Sequence, residues 1–89
     1  MPNYPNIGRV VIDDSPTVSA VFTGGEVTPK AFTFKGTAHT VATVNHRWTG
    51  YDQRNNANLR YMSVTTTEGV VFKLQFNCST LGWMVERMG

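Results

Sequence analysis

The most regular stretch of the chain is residues 70–76, VVFKLQF, where Val70, Phe72, Leu74 and Phe76 face one side and Val71, Lys73, Gln75 and the following Asn77 the other. Successive side chains of a strand point to opposite faces, so this alternation predicts a strand with one apolar face. The same period runs through residues 31–35, AFTFK, with Phe32 and Phe34 on one face. It recurs in residues 59–66, LRYMSVTT, where Arg60, Met62 and Val64 oppose Leu59, Tyr61 and Ser63. Residues 18–22, VSAVF, and 83–87, WMVER, read as two further strands, the latter with Trp83 and Val85 inward. No window repeats apolar residues at helical spacing, and strong helix formers are scarce, so the chain reads as nearly all β.

Turn chemistry separates these runs. DDSP at residues 13–16, Gly24-Gly25, Lys35-Gly36, Glu68-Gly69 and CSTLG at residues 78–82 all favour reversals. Residues 9–12, RVVI, could form a short strand, and residues 26–27 could resume pairing before Pro29. Proline has no N–H to donate to a ladder, so Pro29 is expected at an edge or a break. Residues 37–48 are long for one strand, and Val41 and Val44 are three apart rather than two. That spacing predicts a bulge near Ala42. Residues 49–58 then read as a polar connection, long for a hairpin in so small a domain.

At 89 residues the chain is one domain. The pattern divides it into an irregular N-terminal arm, residues 1–17, with room for one short strand, and a small β-barrel domain, residues 18–89. Five to six short antiparallel strands cannot build two well-filled sheets, whereas curling into a barrel disposes of exposed edges. The expected fold is therefore all-β, a single small barrel-like roll, SH3-like or similar. Trp48 is expected in its core, because a domain this small needs its large side chains inside.

Composition narrows the function. Net charge is +2, with eight Lys and Arg against six Asp and Glu. This permits nucleic-acid binding without the dense basic clusters of dedicated binders. A single cysteine, Cys78, forbids an internal disulfide and suits a reducing cytoplasm. The first residues lack a signal-peptide pattern, and no apolar run approaches the roughly 20 residues of a membrane helix. His39, His46 and Cys78 are too few and too irregularly spaced for a closed zinc site, so no metal and no cofactor is expected. No G-x-S-x-G turn or phosphate loop is present, Asp13-Asp14 reads as a solvated turn, and the expectation is a non-enzymatic binding module.

The candidate binding residues are Arg47, Tyr51, Arg54, Arg60 and Lys73. Arginines mixed with aromatics suit phosphate contact with base stacking, and equally suit protein hot spots. Two classes of partner follow. The favoured one is DNA or RNA, in binding or in a role accessory to DNA metabolism; the alternative is a protein, bound by an adaptor or phage-type inhibitor through exposed strand edges. One concave face carrying Arg47, Arg54, Arg60 and Lys73 beside an exposed aromatic would favour nucleic acid; scattered arginines would disfavour it. Monomer and dimer both stay open.

The order of Pro29, Phe32, Phe34, Gly36, Val41, Val44, Trp48, Arg60, Tyr61, Val64, Gly69, Phe72, Leu74, Gly82, Trp83 and Arg87 resembles a small bacterial domain of unknown function. Some members of that family are encoded beside proteins similar to damage-tolerance DNA polymerases. The likeness spans residues 18–88 and departs at KGTAH, residues 35–39, where the family carries more arginine. It implies a small β fold, a bacterial or phage source and a tie to DNA metabolism, and supplies no catalytic residue.

Overall fold

In the computed structural model, which describes residues 12–88, every regular element is a strand: β1 (Ile12–Asp13), β2 (Val18–Thr23), β3 (Glu26–Phe34), β4 (Thr37–Asp52), β5 (Ala57–Thr66), β6 (Val71–Asn77) and β7 (Trp83–Arg87). They form one antiparallel sheet in the order β1-β7-β6-β5-β4-β3-β2. The described residues thus form seven strands rather than the expected five to six. Two residues of the expected arm pair with β7, Ile12 opposite Glu86 and Asp13 opposite Val85. The strand expected at residues 9–12 lies outside the described residues except for Ile12. No helix among the described residues is long and apolar enough to cross a membrane.

The alternation fixes the core. Strands β3, β5, β6 and β7 turn Val27, Phe32, Phe34, Met62, Val64, Phe72, Leu74, Phe76 and Val85 into one buried cluster, and Trp83 packs against it as expected. Phe72 sits at its centre, with ring contacts at 5.0 Å to Phe32 and 5.1 Å to Phe34, both edge-on. Burying each such side chain contributes about 1.5–3 kcal/mol.

The sheet curls because its two outer strands are neighbours in sequence. Four residues, 14–17, join β1 at one edge to β2 at the other, and so short a link spans at most about 18 Å. The Asp13 carboxylate, held on β7 by its backbone, accepts from Lys35 N at 2.7 Å in the β3–β4 turn and from Ser15 N at 3.0 Å. These N–H groups, Lys35's above all, hold the Asp13 carboxyl below its ordinary pKa. Thr17 extends the β2–β3 ladder, donating to Thr33 Oγ1 and accepting from Thr33 N, each at 2.9 Å.

Pro29 lies where the sheet divides. The β3–β4 ladder covers Ala31 to Phe34 on β3 and stops there, whereas β2 stays paired with β3 as far as Glu26. Beyond that point β4 leaves β3 and follows β5. The departure is made by two bulges on β4, between Val41 and Thr43 and between Val44 and His46, which leave Ala42 and Asn45 without cross-strand partners. The first matches the expected bulge. The second reverses the facing of everything after it, so Arg47 lies opposite buried Met62 and Trp48 lies opposite Tyr61 on the other face. Trp48 is 42% exposed, and its expected place in the core is corrected on this ground.

The supposed long connection at residues 49–58 is also corrected. Gly50, Tyr51 and Asp52 pair with Leu59, Asn58 and Ala57, leaving residues 53–56 as a four-residue turn. The Asp52 carboxylate organises it, accepting from Asn55 Nδ2 at 2.8 Å and from Arg54 N at 3.0 Å. Asn56 adopts φ 52°, which asparagine tolerates better than most residues.

Candidate interaction surface

Where β4 parts from β3, side chains replace the missing ladder. Arg47 donates from Nη1 to the Val27 carbonyl at 2.6 Å and from Nη2 to Thr28 Oγ1 at 2.9 Å, with Glu26 Oε2 4.0 Å from its Nε. One strand later, Arg60 donates from Nη1 to the Gly25 carbonyl at 2.8 Å. Both arginines lie on the core-facing side and tie the β2–β3 hairpin to β4 and β5 of the curled sheet. They share a cleft of about 170 Å³ with Trp48 and Met62. A second cleft, of about 230 Å³, opens between Arg60 and the hairpin tip, walled by Phe22, Val27, Phe76 and Cys78.

The remaining candidate residues are elsewhere. Tyr51 and Arg54 sit at the β4–β5 tip, where the Tyr51 hydroxyl donates to Asn56 Oδ1. Lys73 alternates with buried Phe72 and Leu74 and so occupies the outer face. There its Nζ is 3.1 Å from Glu86 Oε1 and 5.7 Å from the centre of the Tyr61 ring. On the same face Trp48 and Tyr61 stack with centroids 5.4 Å apart and planes 9° apart. Gly50 permits this, since a Cβ there would lie 2.7 Å from Tyr61 Cε2. Arg47 and Arg60 are therefore brought together, while Arg54, Tyr51 and Lys73 are not brought to them.

The groups weighed for metal or thiol chemistry are apart as well. His39 lies between Phe32 and Phe72, at centroid distances of 5.4 Å and 4.9 Å. Its Nδ1 is 3.7 Å from Glu68 Oε1, beyond hydrogen-bond reach. The Thr67 hydroxyl, more than nearby His39, holds the Glu68 carboxyl below its ordinary pKa. Cys78 is half-buried against the core at the end of β6. Among the described residues no three His, Cys, Asp or Glu side chains form a metal-holding group.

One edge of the sheet also stands out among the described residues. Strand β2 ends the sheet, so among the described residues no strand pairs with its far side. Its six residues, VSAVFT, carry no charge and no proline, the usual devices that blunt an edge. Val21 is 46% exposed and Phe22 is 62% exposed, the latter resting edge-on against Phe76 at 5.4 Å. The signal for it in the sequence is the absence of any charged residue between Pro16 and Glu26.

Compared with known proteins, the chain matches no family model, no curated protein and no solved structure.

Proposed function

We propose that this chain is a non-enzymatic protein-interaction module that takes an extended segment of a partner along the edge of β2 that no described strand pairs with. The observation that carries this reading is an uncharged six-residue edge strand with Val21 and Phe22 exposed. Strand addition satisfies the free N–H and C=O groups of such an edge, and alternate side chains of the incoming segment read the neighbouring surface. The cytoplasm is the proposed setting, on the strength of the single thiol, Cys78. The finer likeness to an SH3-like roll belongs to the same reading. Selection from a library of displayed peptides of about ten residues tests it, long enough to cover a typical strand. Enrichment of β-branched and aromatic alternation is expected with the native protein, and its loss with Val21→Lys. Selection that ignores Val21→Lys rejects the edge as the site.

A second reading, nucleic-acid binding or a role accessory to DNA metabolism, rests on exposed Trp48 beside Arg47 and Arg60 and on the family resemblance. It is the weaker of the two because Arg47 is engaged with the β2–β3 hairpin and Glu26, and Lys73 with Glu86 on the other face. Binding to single-stranded oligonucleotide that falls steeply with salt would support it; no binding at about 50 mM salt, where phosphate contacts are strong, rejects it.

A further inference from the structure

Arg60 differs from Arg47 and Lys73. Arg47 has Glu26 and Lys73 has Glu86, whereas among the described residues Arg60 pairs with no carboxylate. One of its N–H groups is spent on the Gly25 carbonyl, and the rest have no protein partner there. Yet Arg60 is half-buried and lines several clefts, of which the one walled by Phe22, Val27, Phe76 and Cys78 reaches β2. A partly desolvated guanidinium beside phenylalanine rings is a site for an anion, since the apolar walls strengthen the attraction while water solvates the charge less.

The charge at the cleft selects the kind of anion. Glu26 lies on its rim, 4.0 Å from the Arg47 Nε outside the cleft, so in formal charge Glu26 and Arg47 balance and Arg60 is left as one excess positive charge. A carboxylate does this one for one, and its two oxygens fit the guanidinium fork. A nucleic-acid backbone would bring further negative charge past Glu26. The cleft also adjoins the β2 edge, because Phe22 and Thr23 form part of its wall. Residues directly opposite in an antiparallel pair have Cβ atoms about 5 Å apart, so the residue of an added strand facing Phe22 stands over this cleft.

We propose that the segment added to β2 carries an aspartate or glutamate that enters the cleft beside Phe22 and pairs with Arg60. The inference rests on the strand-addition reading and gives the partner a chemistry: an extended, apolar, acid-bearing peptide. The same displayed library, selected in parallel on the native protein, on Arg60→Gln and on Arg60→Lys, tests it. Asp or Glu is expected at one fixed position with the native protein and is lost with Arg60→Gln, while the β-branched pattern persists. Arg60→Lys keeps the charge and a donor for Gly25 but not the fork, so it is expected to retain a weakened acid preference and guards against a mere folding defect. Replacing the selected acid by its amide is expected to weaken binding about tenfold, or 1.4 kcal/mol. Strand-like peptides without a fixed acid, or an acid preference unchanged in Arg60→Gln, overturn the carboxylate site and leave strand addition standing. Selection of no strand-like peptide by the native protein overturns both. Displacement of the selected peptide by single-stranded oligonucleotide, with phosphate binding tighter than acetate, assigns the cleft to phosphate and overturns the inference.

Discussion

Arg47→Met removes the hydrogen bonds that stand in for the missing β3–β4 ladder while keeping an apolar stem of similar length. Two contacts are lost, to the Val27 carbonyl at 2.6 Å and to Thr28 Oγ1 at 2.9 Å. Hydrogen bonds to a charged group contribute about 1.5–3 kcal/mol when well shielded. The Arg47 side chain is 33% exposed, which places the pair of bonds together near the lower part of that range, about 2 kcal/mol. The Glu26 contact adds little, because at 4.0 Å and with Glu26 63% exposed it belongs with surface ion pairs worth about 0–1 kcal/mol. A loss of about 2 kcal/mol lowers the melting temperature of a domain this size by roughly 8–16 °C. Urea unfolding of the native protein, Arg47→Met and Glu26→Gln separates the contributions: Arg47→Met shifts the midpoint at unchanged slope, and Glu26→Gln hardly moves it. A loss below about 0.5 kcal/mol for Arg47→Met, the range of ordinary surface substitutions, refutes the idea that this arginine ties the hairpin down. Equal losses for the two variants refute it as well, by assigning the effect to charge pairing.

Other consequences follow from single positions. Leu81 holds φ 63° while 67% exposed, so Leu81→Asn, better suited to that conformation, is expected to raise stability by about 0.5–1 kcal/mol in a urea melt; a fall means that Leu81 is held there by packing. Gly50→Ala places a Cβ against Tyr61 and is expected to cost about 1–3 kcal/mol and to alter the near-ultraviolet signal of the Trp48–Tyr61 stack; an unchanged signal contradicts the stacking geometry. Because Asp13 has a lowered pKa in the folded chain, the stability it contributes is present above its unfolded pKa of about 4 and is lost as pH falls through the folded value. Asp13→Asn should therefore be less stable than the native protein at pH 7 and converge with it on acidification; parallel pH profiles would sink the closure role of this carboxylate.

The strands were legible wherever alternation was unbroken, as in β6 and β7, and Pro29 and the 41/44 spacing announced where the sheet parts and bends. What could not be read was the second bulge, at Asn45. Its side chain, not an apolar neighbour, occupies the extra position, with Nδ2 donating to Thr65 Oγ1 at 2.9 Å, so hydrophobic spacing carries no trace of it. One unseen residue inverted the facing of Arg47 and Trp48 together, exchanging an expected core tryptophan for an inward arginine. The turn at residues 53–56 was hidden for a related reason: Asn-rich polar sequence resembles a loose loop, although Asp52 and Asn56 make a tight reversal of it. Arg47 and Arg60 could be picked out of the sequence as candidates, but their partners, backbone carbonyls of a hairpin some 20 to 35 residues away, are a property of the folded sheet alone.

Hydrogen exchange at β2 tests the central claim most directly. With a peptide from the displayed library bound, the amides of β2 that face outward from the sheet are predicted to slow markedly, alongside a change at Phe22, while the Trp48–Tyr61 face and the β4–β5 tip keep their rates. Protection confined to Trp48, Tyr61 or Arg54, with β2 unchanged, would contradict strand addition and move the binding surface to the other side of the sheet.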